Sequence, residues 1–271
     1  MYEKYWEFKN KPFNNTPDPK FFYKSQSHEE VLMRLRYTIE QNLGAAMLTG
    51  VFGCGKTVVG QVLFDELPLD KYRIAFINNP QLDYIDLLRT IVRSLKSIDL
   101  PAKKSELSAD YLLETLGNIL ENNLRDGRET IIIIDEAHII KNEQTLEGLR
   151  LLLNFQSRDR FLLTLFLFGQ PELKQQIEDN KQLDQRIAIK CHLGPFTPEE
   201  VRDYIDYRIS IAGVNDLMFD NGAIKAIHNY SGGIPRRINR VCDLSLLLGM
   251  HKNTKLINGE MVNESLQNLG S

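Results

Sequence analysis

The chain has 271 residues, of which 42% are hydrophobic and 25% are charged, a composition typical of a globular protein with one large domain or two smaller ones. A net charge of −3 excludes a strong overall basic field for nucleic acid, although it leaves a local basic patch open. The three cysteines lack metal-ligand spacing and favour reduced thiols in a cytoplasmic protein. The N-terminus lacks the apolar core of a signal peptide, and the longest apolar run, at residues 161–168, is too short to span a membrane, so we expect neither.

Residues 1–25 are rich in aromatic side chains, proline and asparagine. Pro17 and Pro19 disfavour a helix, so an irregular segment is predicted. Its aromatic residues predict that it packs as an arm on the nucleotide-binding domain that follows. An alternative is that part of the segment borders the adenine of a bound nucleotide. An amphipathic helix is predicted next, over residues 27–42.

The segment after the strand predicted at Ala45–Thr49 fits the phosphate-binding template of a glycine, four free positions and Gly-Lys-Thr. Glycines permit the close backbone approach that lets amide groups and the next helix hold phosphate oxygens. Lys56 is predicted to reach the β- and γ-phosphates, and the Thr57 hydroxyl to hold Mg²⁺. The predicted nucleotide-binding residues are Gly50, Val51, Phe52, Gly53, Cys54, Gly55, Lys56, Thr57 and Val58.

A second strand is predicted at Tyr72–Ile77, followed by helices at residues 82–95 and 109–124. Four isoleucines, at residues 131–134, then predict a central parallel strand that is covered on both faces. Acidic residues directly after such a strand lie where open α/β sheets bind ligands. Asp135 is therefore predicted to hold Mg²⁺, directly or through water, and Glu136 to orient and deprotonate the attacking water.

A helix at residues 145–154 and a buried strand at 161–168 come next, and a polar residue follows the strand. Gln170 is predicted to sense the γ-phosphate and the water; the alternative is an ordinary turn into a helix. Beyond a short helix, Arg186 is a candidate arginine finger that reaches a neighbouring subunit's γ-phosphate in a ring or filament. Otherwise it is a solvated surface cation. A fifth strand is predicted at Ile189–Leu193.

After residue 195 the pattern changes to helices alone, which marks a domain boundary. Thr197, Pro198 and Glu200 form the signature of a helix start, and that helix is predicted to run to Ile211. Further helices are predicted at residues 221–230, 235–250 and 259–269. One of the two adjacent arginines at the start of the helix predicted at residues 235–250, Arg236 or Arg237, is a candidate for reaching back over the nucleotide. The alternatives are a basic face for DNA, with Arg240, and a plain solvated helix start.

Taken in order, the segments YWEFKNKPFNNTPDPKFFY, GVFGCGKT, IIIIDEAH, FGQPEL, LDQRI and SGGIPRRIN resemble the ExeA-type general-secretion ATPases of the AAA+ class over essentially the whole chain. The resemblance implies a P-loop AAA+ α/β fold, with a five-stranded parallel sheet flanked by helices and then a small helical lid. It also implies adenine as the base.

By the same resemblance, Lys56 and Thr57 belong to Walker A, Asp135 and Glu136 to Walker B, Gln170 to sensor 1, Arg186 to the finger and Arg236 to sensor 2. Gln170 stands where many AAA+ proteins have asparagine. The expected division is an N-terminal segment over residues 1–25, a nucleotide-binding domain over 26–195 and a lid over 196–271. Long secretion ATPases of this type continue into a membrane span and a peptidoglycan-binding domain, so we expect an ATPase module or a stand-alone relative.

The predicted function is Mg²⁺-dependent ATP hydrolysis by a homo-oligomer, ring or filament, with shared ATP sites, which powers secretion or envelope assembly with a partner protein. The alternative is a DNA-binding regulator similar to the transposition ATPases MuB and TnsC, which assemble on DNA. Cys54 offers a further test, because an exposed thiol in the loop would be shielded from alkylation by bound ATP.

Overall fold

The computed structural model describes residues 2–78, 80–95, 108–158 and 160–267. The strands are β1 Ala45–Gly50, β2 Tyr72–Ile77, β3 Glu129–Ile134, β4 Gln156–Ser157, β5 Arg160–Phe161, β6 Leu163–Gly169 and β7 Ile189–Leu193. The first helices are α1 Gln26–Glu40, α2 Lys56–Glu66, α3 Tyr84–Leu95, α4 Ala109–Arg125 and α5 Glu143–Leu152. The others are α6 Glu172–Asp179, α7 Lys181–Asp184, α8 Pro198–Ile211, α9 Asn221–Ser231, α10 Pro235–His251 and α11 Gly259–Gln267.

The predicted elements are present, and their described ends agree with the prediction to within two residues. The predicted end of the last helix, at residue 269, lies outside the described residues. The short antiparallel pair β4–β5 has no counterpart in the prediction. The chain divides into two compact units, one made of Glu29–Gly50 and Val59–Leu193, the other of Met1–His28, Val51–Val58 and Gly194–Ser271.

The first unit contains a five-stranded parallel sheet in the order β2-β3-β6-β1-β7. β3 lies between β2 and β6, and its four isoleucines are fully buried, which explains why the strand is apolar on both faces. Helices α3 and α4 contribute Leu88, Ile91 and Leu116 to the same core. The predicted five-stranded sheet flanked by helices is therefore confirmed.

The strand register brings the carboxyl ends of β1, β3 and β6 to one edge of this sheet. Thr49 of β1 pairs with Gly169 of β6, and Ile134 of β3 pairs with Leu167 of β6. β1 therefore ends level with the end of β6, and β3 ends about two residues lower. This edge is where parallel α/β sheets place their ligands.

The second unit has its own core, in which residues of the N-terminal segment pack with those of α8 to α11. The Trp6 indole is 2% exposed, and its Nε1–H donates to the Leu246 carbonyl at 2.9 Å. Arg208 of α8 donates to the carbonyl oxygens of Pro12 and Asn14. Apart from one 3-10 turn at Pro19–Phe21, the segment is irregular, as predicted. Its residues Tyr2, Trp6, Phe8 and Phe13 are buried with side chains of the C-terminal helices. The expected packing of the segment on the nucleotide-binding domain stays a prediction.

Local capping signals define the helices of this unit as the sequence predicts. The Thr197 hydroxyl accepts from the Glu200 N–H, and the Glu200 carboxylate accepts from the Thr197 N–H, which completes the capping box of α8. Helix α9 ends at Ser231, and Gly232 caps it with a φ of +59°, in the left-handed region favoured by glycine.

Truncation of Trp6 is expected to destabilise the protein strongly. Trp6→Ala removes a fully packed indole and leaves the Leu246 carbonyl without this donor, so we expect the free energy of unfolding to fall by about 3–5 kcal/mol. Urea unfolding of the full chain measures this change. Tyr111→Ala, which truncates an exposed aromatic residue of α4, is the matched control and should change stability by less than about 1 kcal/mol. Equal losses in both variants would contradict the packing role of Trp6.

Candidate functional site

The glycine loop has the local geometry that phosphate binding requires. Gly53 and Gly55 have φ values of +88° and +101°, which residues with a side chain rarely adopt. Helix α2 begins at Lys56, so its first amide groups lie at the end of the loop and favour an anion. Lys56 is 5% exposed, and its Nζ donates to the Val51 carbonyl at 3.2 Å, which holds this cation against the loop.

The start of α10 packs directly on the same loop, within one compact unit. The Arg236 N–H donates to the Gly53 carbonyl at 3.3 Å, and a Cβ on Gly53 would lie 2.9 Å from the Arg236 Cβ. The Arg236 guanidinium lies over the exposed Phe52 ring, 4.7 Å from its centroid. A cation–π contact of this kind is worth about 0.5–1 kcal/mol at an exposed site. Arg236 is thus positioned at the loop by both its backbone and its side chain.

The acidic pair lies directly after β3. Asp135 is 3% exposed, and its Oδ1 accepts the Glu136 N–H at 2.9 Å. Glu136 has φ +54° and ψ +32°, a left-handed conformation that costs a residue with a side chain about 1–2 kcal/mol. Strained backbone conformations of this kind are concentrated at functional sites, so the strain supports a functional role for the Glu136 carboxylate.

A histidine connects Glu136 to the residue that follows β6. The His138 Nδ1 lies 3.4 Å from Glu136 Oε2 and accepts the Gln170 N–H at 3.3 Å. The His138 Nε2 lies 3.0 Å from the side-chain amide of Gln170. Glu136 and Gln170, which the sequence predicts to act together, are therefore bridged by one imidazole.

These contacts also determine the orientation of the Gln170 amide. Gln170 Nε2 lies 3.0 Å from His138 Nε2, while the Gln170 backbone N–H points at Nδ1 of the same ring. An amide NH₂ group has two N–H donors, so one can face the ring nitrogen and the other can face a ligand. The ring therefore holds the Gln170 side chain in place beside Glu136.

Arg186 makes its contacts with the end of α5. Its guanidinium donates to the Leu153 carbonyl at 3.5 Å and to Asn154 Oδ1 at 3.2 Å, and the residue is half-buried. The structure does not place it with Glu136 or Gln170. A role at a neighbouring subunit's nucleotide stays a prediction.

Cys54 is buried, with 1% of its surface exposed. Burial raises the pKa of its thiol, and nearby Lys56 only partly opposes this. The thiol is therefore shielded by the protein itself, so alkylation of Cys54 does not report on bound nucleotide. The alkylation test depended on an exposed thiol, and that condition is not met.

A buried histidine lies beside the loop in the same unit. His28 is 3% exposed, and burial lowers its pKa to about 4, while a backbone hydrogen bond to Cys54 acts in the opposite direction. The titratable residues of the loop itself are Cys54 and Lys56. His28 is therefore neutral at physiological pH.

The burial of His28 predicts a loss of stability in mild acid. Its pKa of about 4 in the folded protein lies below the ordinary value of 6.5, so the unfolded chain binds more protons between these values and stability falls as the pH drops through this window. Between about pH 7.5 and about pH 5 the expected loss from His28 is about 2 kcal/mol. Urea unfolding at both pH values measures it. His28→Gln should remove this part of the pH dependence, and an unchanged dependence in that variant would contradict the assignment.

The predicted Mg²⁺ ligands fit the ion by their chemistry. The Thr57 hydroxyl and the Asp135 carboxylate are both oxygen donors, and Mg²⁺ is usually held by one or two protein oxygens together with phosphates and water. Asp135 is buried and oriented by the Glu136 N–H, as a ligand at a fixed position must be.

The structure thus brings the predicted residues together in two groups, the loop with Arg236 and the pair Glu136 and Gln170. Sequence reasoning missed His28 and His138. His138 has a local signal, because it follows the acidic pair in the run IIIIDEAH. His28 has none, since its partner Cys54 is 26 positions away and only the fold reveals the contact.

Comparisons with known proteins agree with this architecture. A family model described as an AAA domain matches residues 39–177. The chain is 35% identical over 265 residues to general secretion pathway protein A of Aeromonas hydrophila, covering 96% of this chain and 47% of that protein. The chain thus spans about half the length of this relative.

Solved structures show the same fold. The ORC2 protein of Aeropyrum pernix, in its ADPNP–ADP complexes, matches with a TM-score of 0.70 and 17% identity over 96% of this chain and 72% of that one. The ORC1 protein of the same organism, in complex with DNA, matches with a TM-score of 0.72 and 17% identity over 97% and 70%. The P-loop AAA+ fold predicted for the α/β region, with a helical C-terminal region, is confirmed.

Proposed function

This chain belongs to the AAA domain family, and from that premise we propose that it binds ATP with Mg²⁺ and hydrolyses it. The observation that carries the proposal is the shared edge of the sheet. β1 leads into the glycine loop there, β3 leads into Asp135 and Glu136, and β6 leads into Gln170. The likeness to a protein solved with ADPNP and ADP supports adenine nucleotides as ligands.

In this proposal the chain's own residues divide the work. Lys56 and the amide groups at the start of α2 bind the phosphates, while Thr57 and Asp135 would hold Mg²⁺. Mg²⁺ would supply charge neutralisation at the phosphate oxygens. Glu136 accepts a proton from the attacking water, and the Gln170 NH₂ group donates to the water or to a phosphate oxygen. Arg236 contacts the phosphates from the start of α10, in the same unit as the loop.

His138 orients the side chains of Glu136 and Gln170 in this proposal. Its ring fixes the Gln170 amide and lies beside the Glu136 carboxylate, so that both side chains are oriented before substrate binds. We further propose that the protein works as a homo-oligomer in which Arg186 of one subunit completes the ATP site of the next.

Similarity to general secretion pathway protein A favours a role in secretion or envelope assembly, on the cytoplasmic side where ATP is available. Among the described residues, no helix is long and apolar enough to cross a membrane. Cys54, Cys191 and Cys242 are all buried and are not paired with one another.

The alternative is a DNA-binding AAA+ regulator of the transposition type. It is favoured by the exposed arginines Arg236, Arg237 and Arg240 on α10 and by the likeness to an ORC1 protein solved with DNA. Filter binding of duplex DNA with ATP at low salt separates the two functions. Retention that falls steeply with salt and weakens in Arg237→Ala and Arg240→Ala would favour the regulator. A lack of retention and of DNA-stimulated hydrolysis removes it.

Lys56→Ala tests nucleotide binding itself. Because the buried ammonium is lost from the loop, we expect affinity for a fluorescent ATP analogue to fall by about 100-fold or more. Lys174→Ala, which removes an exposed lysine of α6, is the matched control and should bind as the wild type does. Equal affinity of both variants would contradict the proposed phosphate site.

A further inference from the structure

His28 is enclosed by polar and aromatic partners that leave its ring a single orientation. Its Nδ1 lies 2.7 Å from the Ser25 hydroxyl. The rings of Phe22 and Phe196 lie 5.1 Å and 5.6 Å from it, centroid to centroid. With 3% of its surface exposed, the imidazole has no room to rotate without displacing these neighbours.

The other nitrogen of the ring faces the glycine loop. Nε2 lies 3.4 Å from the position that a Cβ on Gly55 would occupy. The backbone hydrogen bond to Cys54 favours the protonated ring, so the backbone group must be an acceptor, the carbonyl oxygen. Nε2–H therefore donates to the Cys54 carbonyl, and Nδ1 accepts from the Ser25 hydroxyl. The neutral tautomer is fixed at both ends.

From Phe196 a continuous path of contacts returns to the loop. The Phe196 N–H donates to the Gly233 carbonyl at 2.8 Å, and a Cβ on Gly233 would lie 2.0 Å from the Phe196 carbonyl oxygen. Gly233 leads into Ile234 and then Arg236 at the start of α10. Ile234 Cγ2 lies 3.1 Å from the position that a Cβ on Gly53 would occupy, and the Arg236 N–H donates to the Gly53 carbonyl.

We propose that His28 is a positioning residue that couples the phosphate loop to the start of α10 through Phe196. The path runs from the loop to His28, Phe196, Gly233 and Arg236, and back to the loop, and all its members lie in one compact unit. A nucleotide that moves the loop carbonyls changes the contact between the loop and His28. That change is passed through Phe196 to the packing of α10 on the loop. The inference rests on the proposed function, because it assumes that the loop binds a nucleotide.

Two substitutions test the two ring nitrogens of His28 one at a time. Glutamine places its amide nitrogen near the position of Nε2 and keeps a donor for Cys54, whereas asparagine places its amide near Nδ1 and keeps only the Ser25 side. Loss of one buried hydrogen bond to the loop predicts an approximately tenfold weaker affinity for the ATP analogue in His28→Asn. His28→Gln should stay within about threefold of the wild type.

Hydrogen exchange provides the readout for coupling. In the wild-type chain, the ATP analogue should protect the amides of residues 50–58 and of residues 231–240 together. In His28→Asn, protection of 231–240 should no longer follow the nucleotide, and His28→Gln should restore it. Phe196→Leu keeps an apolar side chain but removes the ring contact with His28, so it should also uncouple the two segments. It is the variant to use if His28→Asn does not fold.

The outcomes distinguish this inference from the proposed function. If the wild-type chain binds no ATP analogue, the proposed function is overturned and the inference with it. If the wild type binds and both His28→Asn and Phe196→Leu retain joint protection of the two segments, the inference alone is overturned.

Discussion

Glu136→Gln is expected to bind ATP with nearly wild-type affinity and to lower hydrolysis by about 10²–10⁴-fold. Glutamine has the same shape as glutamate, so the left-handed backbone at this position and the contact with the Asp135 carboxylate are retained. The substitution removes the carboxylate that accepts the proton from water, and a glutamine amide cannot take over this role. The effect should therefore appear in the turnover number and not in binding.

Phosphate release under saturating ATP, together with equilibrium binding of a fluorescent analogue, separates these two quantities. Glu143→Gln is the matched control, because it makes the same change at an exposed glutamate in the first turn of α5. Its turnover should equal that of the wild type. Near-normal hydrolysis by Glu136→Gln would refute Glu136 as the catalytic base.

Arg186→Ala is expected to lower turnover by about 10³-fold or more, with little change in ATP affinity. The guanidinium contacts Leu153 and Asn154 within its own subunit, where it is held near the end of α5. As a finger it would act on the neighbour's γ-phosphate, so wild-type turnover per subunit should rise with protein concentration. Arg125→Ala, at an exposed arginine of α4, is the matched control.

Mixing experiments test the sharing of sites directly. A Glu136→Gln subunit still carries Arg186, and an Arg186→Ala subunit still carries Glu136. A mixture of the two inactive variants should therefore regain activity at the interfaces where each supplies the missing group. Turnover per subunit that does not depend on concentration, together with no recovery on mixing, would contradict the shared-site arrangement.

Much of the α/β fold is predictable because its signals are local. The four isoleucines of β3 are apolar on both faces since helices cover both sides of the strand, and Thr197 and Glu200 define the start of α8 within four residues. The glycine template likewise predicts the loop, where Gly53 and Gly55 adopt the backbone angles that it requires. Local pattern is sufficient where neighbouring residues determine the geometry.

The rest depends on contacts between distant residues. Trp6 donates to Leu246, 240 positions away, so composition alone cannot reveal that the N-terminal segment packs among the C-terminal helices. His138 and Gln170 meet because β3 and β6 are neighbours in the sheet. The position of the Gln170 side chain beside the acidic pair therefore follows from that long-range contact.

Steady-state phosphate release from ATP by the full chain, with and without Mg²⁺, tests the central claim most directly. The proposed site predicts many turnovers per subunit in the presence of Mg²⁺, and none when the ion is chelated. Tight binding of ATP with no release of phosphate at any protein concentration would contradict it, because the chain would then bind the nucleotide without hydrolysing it.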